Sequence, residues 1–473
     1  MHPSADATGR VALGRRGSDY TNPPAHGQRR EASRRVRPSS PHRSRVVLIQ
    51  GRLLTDPASP PSPGWVRTEG GRIAEVGEGA PPRSERPDVG GPDAIISPAF
   101  VDAHLHIPQF DSVGCDGMPL LEWLHRVVFP AETWWGVGGH ANITTGAIRR
   151  LVRQGTFAFA GYLTSHAEAS RAAIGMLERS GLRCAVGRVA MDREAPEELT
   201  REDRWRASQR PTPSPVLEPH GFGRSGGSVA SGGGAGGRVE ASANPRFAIA
   251  CSEELLAEIG WLARERPSLV VQTHLAESRD ECARVRELFP DDAHYTGVYD
   301  RFGLLRARTI LAHCCHLAPE EWALIAERGA VIAHCPGANV FLRAGLFDLN
   351  AARDHGVRIA LGSDVAAGPD VAMPRVARAM IEVAKSRAMC VRDDAVVPTP
   401  AEAWEAITRG NADALGWADA GRIEPGASAD LLALRVPETW RDENLIGRLL
   451  YNWDDSLIAA RVLAGRIVDP DTI

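Results

Sequence analysis

With 473 residues and a formal net charge of −4, the chain exceeds one average domain and carries no basic excess for nucleic acid or an anionic membrane. No apolar run reaches the roughly 20 residues of a membrane-spanning helix, and the first residues lack the apolar core of a secretory signal, which predicts a cytoplasmic protein. The eight scattered cysteines form no Cys-X-X-Cys pair and are expected to be reduced, structural thiols.

Residues 1–44 are rich in Arg, Pro, Ser and Gly with little apolar periodicity, and predict a disordered tail. Short strand-like runs follow, Val46-Val-Leu-Ile, Trp65-Val-Arg and Arg72-Ile-Ala-Glu-Val, broken by Gly and Pro. The same texture returns in Ala429-Asp-Leu-Leu-Ala-Leu and Ile458-Ala-Ala-Arg-Val-Leu-Ala-Gly-Arg-Ile-Val. Residues 45–95 and 420–473 are therefore expected to pair into one small β-rich, β-sandwich-like domain built from both chain ends. Between them, over 96–419, strand-like runs begin near Ile96, Thr156, Arg183, Arg246, Leu269, Thr309, Ala330 and Arg358. Each precedes a segment of helical periodicity such as Ala318 to Arg328, and this alternation predicts an α/β fold, a (β/α)8 TIM-type barrel. The stretch 211–244, Pro-rich and then Gly/Ser-rich with Ser231-Gly-Gly-Gly-Ala-Gly-Gly, predicts a low-complexity insertion between the third and fourth strands.

Polar residues close several of these runs: Ile96-Ser-Pro-Ala-Phe-Val-Asp-Ala-His104-Leu-His106, Leu269-Val-Val-Gln-Thr-His274, Thr309-Ile-Leu-Ala-His313 and Arg358-Ile-Ala-Leu-Gly-Ser-Asp364. A barrel brings the C-terminal ends of its strands to one mouth. His104 and His106 stand two apart, so on an extended strand both imidazoles face the same side. Alone, such a pair fits histidines in ordinary hydrogen bonds as well as it fits a metal; repeated strand ends of the same kind favour the metal. Neutral imidazoles with a carboxylate suit zinc, and iron suits the same N/O ligands. The only lysine, Lys385, falls beyond the last barrel strand in the helical stretch Val376 to Arg387, which favours one ion over a pair bridged by a carboxylated lysine.

Together with Pro98-Ala-Phe-Val-Asp-Ala-His104-Leu-His106 and Gly362-Ser-Asp364, these residues resemble the amidohydrolase superfamily of metal-dependent hydrolases. Its guanine-deaminating branch is resembled in His106-Ile-Pro-Gln109-Phe, Leu120-Leu-Glu-Trp-Leu, Phe129-Pro-Ala-Glu132, Met191-Asp-Arg, Pro245-Arg246-Phe247, His274-Leu-Ala-Glu277-Ser-Arg-Asp and His334-Cys-Pro-Gly-Ala-Asn339. The resemblance runs from about Arg45 to the C-terminus. It lapses at Gly337 and Ala338, where that branch usually carries a hydroxylic or amide residue and a serine, and in the tail and the insertion.

What the resemblance implies is one Zn2+ per subunit held by His104, His106, His274 and Asp364, with Fe2+ as the alternative ion. It further implies hydrolysis of guanine to xanthine and ammonia in purine catabolism, by a cytoplasmic homodimer with no nucleic-acid or membrane partner. Glu277, His313 and Asp364 would be catalytic: Glu277 protonates a ring nitrogen, His313 orients the attacking water, and Asp364 helps take its proton. Substrate contacts would fall to His106, Gln109, Arg246, Phe247, His274, Glu277 and Asp364. A guanidinium only donates hydrogen bonds and so reads a ring carbonyl, whereas Gln109 both donates and accepts.

Other readings stay open. Glu277 also reads as a surface glutamate opening the next helix, Gln109 and Arg246 as ordinary hydrogen-bonding residues at strand ends, and Phe247 as core. Trp123 is expected to pack a helix or lid, His166 to be structural, and Cys314 and Cys315 to be packing residues; His334 and Asn339 fit structure and site equally. The alternative activities are a related amidohydrolase reaction on 8-oxoguanine, a pyrimidine or a triazine, and, in a different class, a non-catalytic metal-binding protein.

Overall fold

The computed structural model describes residues 46–83, 85–208 and 237–473, so the expected tail and most of the expected insertion lie outside the described residues. The chain opens with β1 (Val47–Leu53), β2 (Ser62–Glu69), β3 (Arg72–Glu78) and β4 (Val89–Pro98). Gly70 and Gly71 turn β2 into β3 with φ of +60° and +81°, a backbone open to glycine at little cost, and Glu69 then pairs with Arg72 across the hairpin.

Next come β5 (Phe100–His106), β6 (Thr156–Tyr162), β7 (Arg183–Gly187), the short β8 (Val189–Ala190), β9 (Val239–Pro245), β10 (Val270–Leu275), β11 (Thr309–His313), β12 (Val331–His334) and β13 (Arg358–Leu361). Neighbours pair in parallel in the order β5-β6-β7-β9-β10-β11-β12-β13, with β8 beside the end of β9. Closure comes just past β13, where the Asp364 N–H donates to the His104 carbonyl at 2.8 Å and the His106 N–H to the Val365 carbonyl at 3.1 Å. Helices between the strands cover the outside, giving the (β/α)8 barrel. One of them, His140–Gln154, ends on Gly155 with φ +82°, a left-handed cap that releases the chain directly into β6.

One expected boundary is corrected: β9 begins at Val239, so residues 239–244 belong to the barrel and not to the insertion. Two of its buried residues, Ser242 and Asn244, are polar and find hydrogen-bond partners inside the barrel. The Asn244 amide donates to the Gly161 and Gly187 carbonyls at 3.2 and 3.1 Å, and Gln272 donates to the Ser242 hydroxyl at 2.9 Å. The strand does alternate, Val239-Glu-Ala-Ser-Ala-Asn244, but its apolar positions after Val239 are small alanines within a Gly/Ser-rich context.

The last strands, β14 (Leu431–Leu434), β15 (Ile458–Leu463) and β16 (Arg466–Val468), join the first four in a seven-stranded sheet ordered β16-β15-β14-β4-β1-β2-β3. These strands from both chain ends form one continuous hydrogen-bonded sheet around a shared apolar core of Val47, Ile49, Val66, Ile96, Leu431 and Val462. Its β4 also reaches Pro98, so Ile96 to Pro98 pair with Leu431 to Ala433 and leave the barrel to start at Phe100. A continuous apolar run cannot show by itself where one sheet stops and the next starts.

The helix Leu445–Tyr451 packs against the helices Met373–Cys390 and Pro400–Glu405. At this seam Phe100 meets Trp404 and Trp453 edge-on, with ring centroids 5.4 and 5.2 Å apart. Burying each such ring stabilises the fold by about 2 to 3 kcal/mol. All eight cysteines are unpaired, and among the described residues no helix is long and apolar enough to cross a membrane.

Candidate active site

Strand ends at the mouth of the barrel supply the site: His104 and His106 from β5, Arg246 directly after β9, His274 from β10, His313 closing β11, and Asp364 just past β13. Four residues at these ends, Ala276, His313, Cys314 and Asp364, have φ between +49° and +71°. Left-handed backbone is uncommon outside glycine, costs roughly 1 to 2 kcal/mol per residue, and gathers at functional sites.

His104, His106, His274 and Asp364 are buried and offer ligand atoms that all lie within 4.8 Å of one another. The Asp364 Oδ1 stands 3.3 Å from His104 Nε2 and 3.4 Å from His106 Nε2, and the Nε2 atoms of His106 and His274 are 3.2 Å apart. Donors about 2.0–2.1 Å from a shared zinc in a tetrahedral arrangement would be about 3.3 Å from each other. The donor set therefore fits a single ion of that size.

Protonation favours the same reading. Burial pulls His106 down to about 4, and burial together with the neighbouring imidazoles takes His274 well below its ordinary range, so both rings are held neutral, the form that binds metal. Burial pushes the Asp364 carboxyl up, but hydrogen bonds from His104 and His106 outweigh it and hold the group well below the usual carboxylate range. The His274 Nδ1 lies 2.6 Å from the Arg246 carbonyl, which fixes Nε2 as the outward ligand atom. Asp102 sits beneath the cluster, its Oδ1 accepting from the backbone N–H of His104 at 3.1 Å and of Ser363 at 2.9 Å.

Beside the cluster, His313 Nε2 faces Glu277 Oε2 at 3.5 Å and Asp364 Oδ2 at 3.7 Å, while its Nδ1 lies 2.8 Å from Asn339 Oδ1. Glu277 is buried, not a surface glutamate, and burial followed by the charges of Asp364 and Glu281 raises its carboxyl well above the ordinary value against the opposing pull of Arg246. Glu281 holds this corner by accepting the Glu277 N–H at 2.7 Å and the Tyr295 hydroxyl at 2.8 Å.

A partly open cleft lies over these groups. Gln109 and Arg246 form part of its polar wall, and Leu120, Trp123, Leu124, Phe247 and Leu342 are apolar lining residues. Behind that wall is Glu132, fully buried, which accepts from Arg246 Nη1 at 2.8 Å through both oxygens and from Gln109 Nε2 at 2.9 Å.

Of the nine residues expected at the site, His106, Gln109, Arg246, Phe247, His274, Glu277, His313 and Asp364 line this cleft, and His104 joins His106, His274 and Asp364 in the ligand cluster. Trp123 lines it too, with its indole N–H tied to the Cys115 carbonyl at 3.0 Å. His166 lies elsewhere, bonded through Nδ1 to the Thr164 hydroxyl at 2.9 Å, and His334 stacks on Phe347 with ring centroids 4.5 Å apart. Asp102 and Glu132 received no site role from the sequence, and Asn339, which fits structure and site equally by sequence, stands beside His313. The available signal was a lone acid in otherwise apolar stretches, Phe-Val-Asp102-Ala and Phe-Pro-Ala-Glu132.

The chain matches the amidohydrolase family over residues 95–448. It is 31% identical over 400 residues to the guanine deaminase of Homo sapiens, spanning 80% of this chain and 83% of that protein. To the guanine deaminase of Escherichia coli K12 it is 32% identical over 347 residues, 73% of this chain and 74% of that one. The crystal structure of guanine deaminase from C. acetobutylicum with guanine bound in its active site superposes with a TM-score of 0.76 at 25% identity, over 90% of this chain and 100% of that chain. Ligand cluster, barrel and sequence agree, and the chain belongs to the amidohydrolase family.

Proposed function

We propose that the protein catalyses the hydrolytic deamination of guanine to xanthine and ammonia, as a step of purine catabolism. The observation that carries this reading is the meeting, in one pocket, of the His104, His106, His274 and Asp364 cluster with the Gln109 and Arg246 wall. Relatives named as guanine deaminases support it along most of their length.

The amidohydrolase family is metal-dependent, and in this reading the four clustered residues hold one Zn2+, with Fe2+ the alternative. A bound ion of this kind lowers the pKa of a coordinated water toward about 7 and so makes a nucleophile available at neutral pH. Arg246 donates to the ring carbonyl and Gln109 pairs with the adjacent polar edge, while Phe247 and the apolar wall pack the ring and exclude solvent. Glu277, kept protonated by its buried surroundings, passes a proton to the ring nitrogen next to carbon 2. His313, steadied by Asn339, orients the attacking water, and Asp364 takes its proton. The water oxygen bonds to carbon 2, the proton held by Asp364 passes to the exocyclic amine, and the carbon 2–nitrogen bond breaks to release ammonia while the new hydroxyl returns a proton to Glu277. A cytoplasmic homodimer completes the proposal, and eight free thiols are in keeping with a reducing compartment.

The test is ammonia release by the purified protein from guanine, 8-oxoguanine, adenine, cytosine and an aminotriazine, beside elemental analysis. Guanine is expected to be turned over with about one zinc per chain. Turnover of another ring with guanine inert would overturn the assignment, and inertness toward every ring with metal bound would favour the non-catalytic class.

A further inference from the structure

Glu132 touches none of the metal ligands, yet it is fully buried and binds both polar residues of the pocket wall. A buried carboxylate accepts hydrogen bonds and cannot donate them. It therefore decides how its two partners face the cleft. Gln109 must turn its amide nitrogen toward Glu132 at 2.9 Å, which fixes the carbonyl oxygen on the other side of the amide, 3.5 Å from the Ala366 N–H. Arg246 commits Nη1 to both carboxylate oxygens, and its guanidinium lies over the Phe129 ring at 5.4 Å, so the remaining N–H groups are held in one plane.

We propose that Glu132 is a positioning residue that sets ring selectivity, by locking Gln109 and Arg246 into an acceptor-beside-donor wall that fits a lactam edge, a ring N–H next to a ring carbonyl. An amidine edge, with a bare ring nitrogen next to an amine, presents the reverse order and meets donor with donor. The inference rests on the proposed guanine reading and says which residue sorts carbonyl-bearing from amine-bearing rings. Without the carboxylate the Gln109 amide is free to flip, and the Arg246 charge is left buried without its partner.

Glu132→Gln, measured with guanine and with 2,6-diaminopurine, tests this. The two purines share the amine on carbon 2 and differ in a carbonyl or an amine on carbon 6. In the variant kcat/KM for guanine is expected to fall about tenfold to hundredfold, chiefly through KM, and preference for guanine over the diamine to fall at least about tenfold. Zinc content should stay at the wild-type level. A merely structural role would lower the apparent kcat for both purines alike and leave their ratio and KM where they were; that result in a folded, metal-loaded variant overturns the inference. Should Glu132→Gln fail to fold, Glu132→Asp keeps the charge but draws the acceptor back, and an unchanged KM for guanine there refutes the proposal equally. Wild-type protein inert on both purines would instead sink the guanine reading, and this inference with it.

Discussion

The Nδ1 of His274 and the backbone carbonyl of Arg246 lie 2.6 Å apart, so the residue that aims the His274 ring into the His/Asp cluster is also one whose side chain lines the cleft. In the proposed function, metal geometry and ring recognition thus share one segment, the exit of β9. A shift of that segment would disturb both at once, which makes the cluster a sensitive probe of the whole pocket.

Removing the ion tests the cluster. Chelation is expected to abolish activity, and added zinc to restore it. His274→Ala should bind zinc more weakly by well over the tenfold to hundredfold that loss of an outer hydrogen-bond partner costs, as read by elemental analysis after dialysis. Full zinc retention in that variant would show that the ligand set is misassigned.

Glu277→Gln removes the transferable proton while keeping size and polarity. A fall in kcat of about 10² to 10⁴ is expected, with metal content intact, since this is the usual range for a single proton-transfer group. Steady-state kinetics on guanine decide it. Undiminished turnover would return Glu277 to the role of a helix-opening glutamate.

His334 should make the fold acid-sensitive. Burial, with the nearby His313 adding to it, brings its pKa from 6.5 down to about 3, so the folded chain holds this ring neutral while the unfolded chain protonates it. The group's folded pKa lies below its unfolded one, so its stabilising contribution is complete above pH 6.5 and is lost as pH falls from there toward about 3. At the low end the loss is at most roughly 4 to 5 kcal/mol. His334→Leu cannot titrate, and thermal unfolding followed between neutral pH and pH 4 should show a shallower decline than wild type. Parallel curves for the two proteins would contradict the buried neutral state.

Much of the site was legible because its residues sit at the ends of strands whose apolar runs are local in sequence. His274 after Val270-Val-Gln-Thr and His313 after Thr309-Ile-Leu-Ala need no knowledge of a partner strand to be noticed. Glu132 was not legible as a site residue and Asn339 stayed open between structure and site, since each contacts a side chain distant in sequence: Glu132 meets Arg246, 114 positions away, and Asn339 meets His313, 26 positions away. The start of β9 was missed for a related reason, because Asn244 and Ser242 are polar residues made acceptable only by neighbouring carbonyls and by Gln272.

The sequence by itself determined the alternation of strands and helices and the residue types of the donor set, because these follow from periodicity and composition within short windows. Only the tertiary structure decided that Ile96 to Pro98 belong to the terminal sheet, that the donors stand 3.2 to 3.4 Å apart, and that one buried carboxylate orders the pocket wall. Those outcomes depend on pairings between residues far apart along the chain, whose energies exist only once the barrel has closed.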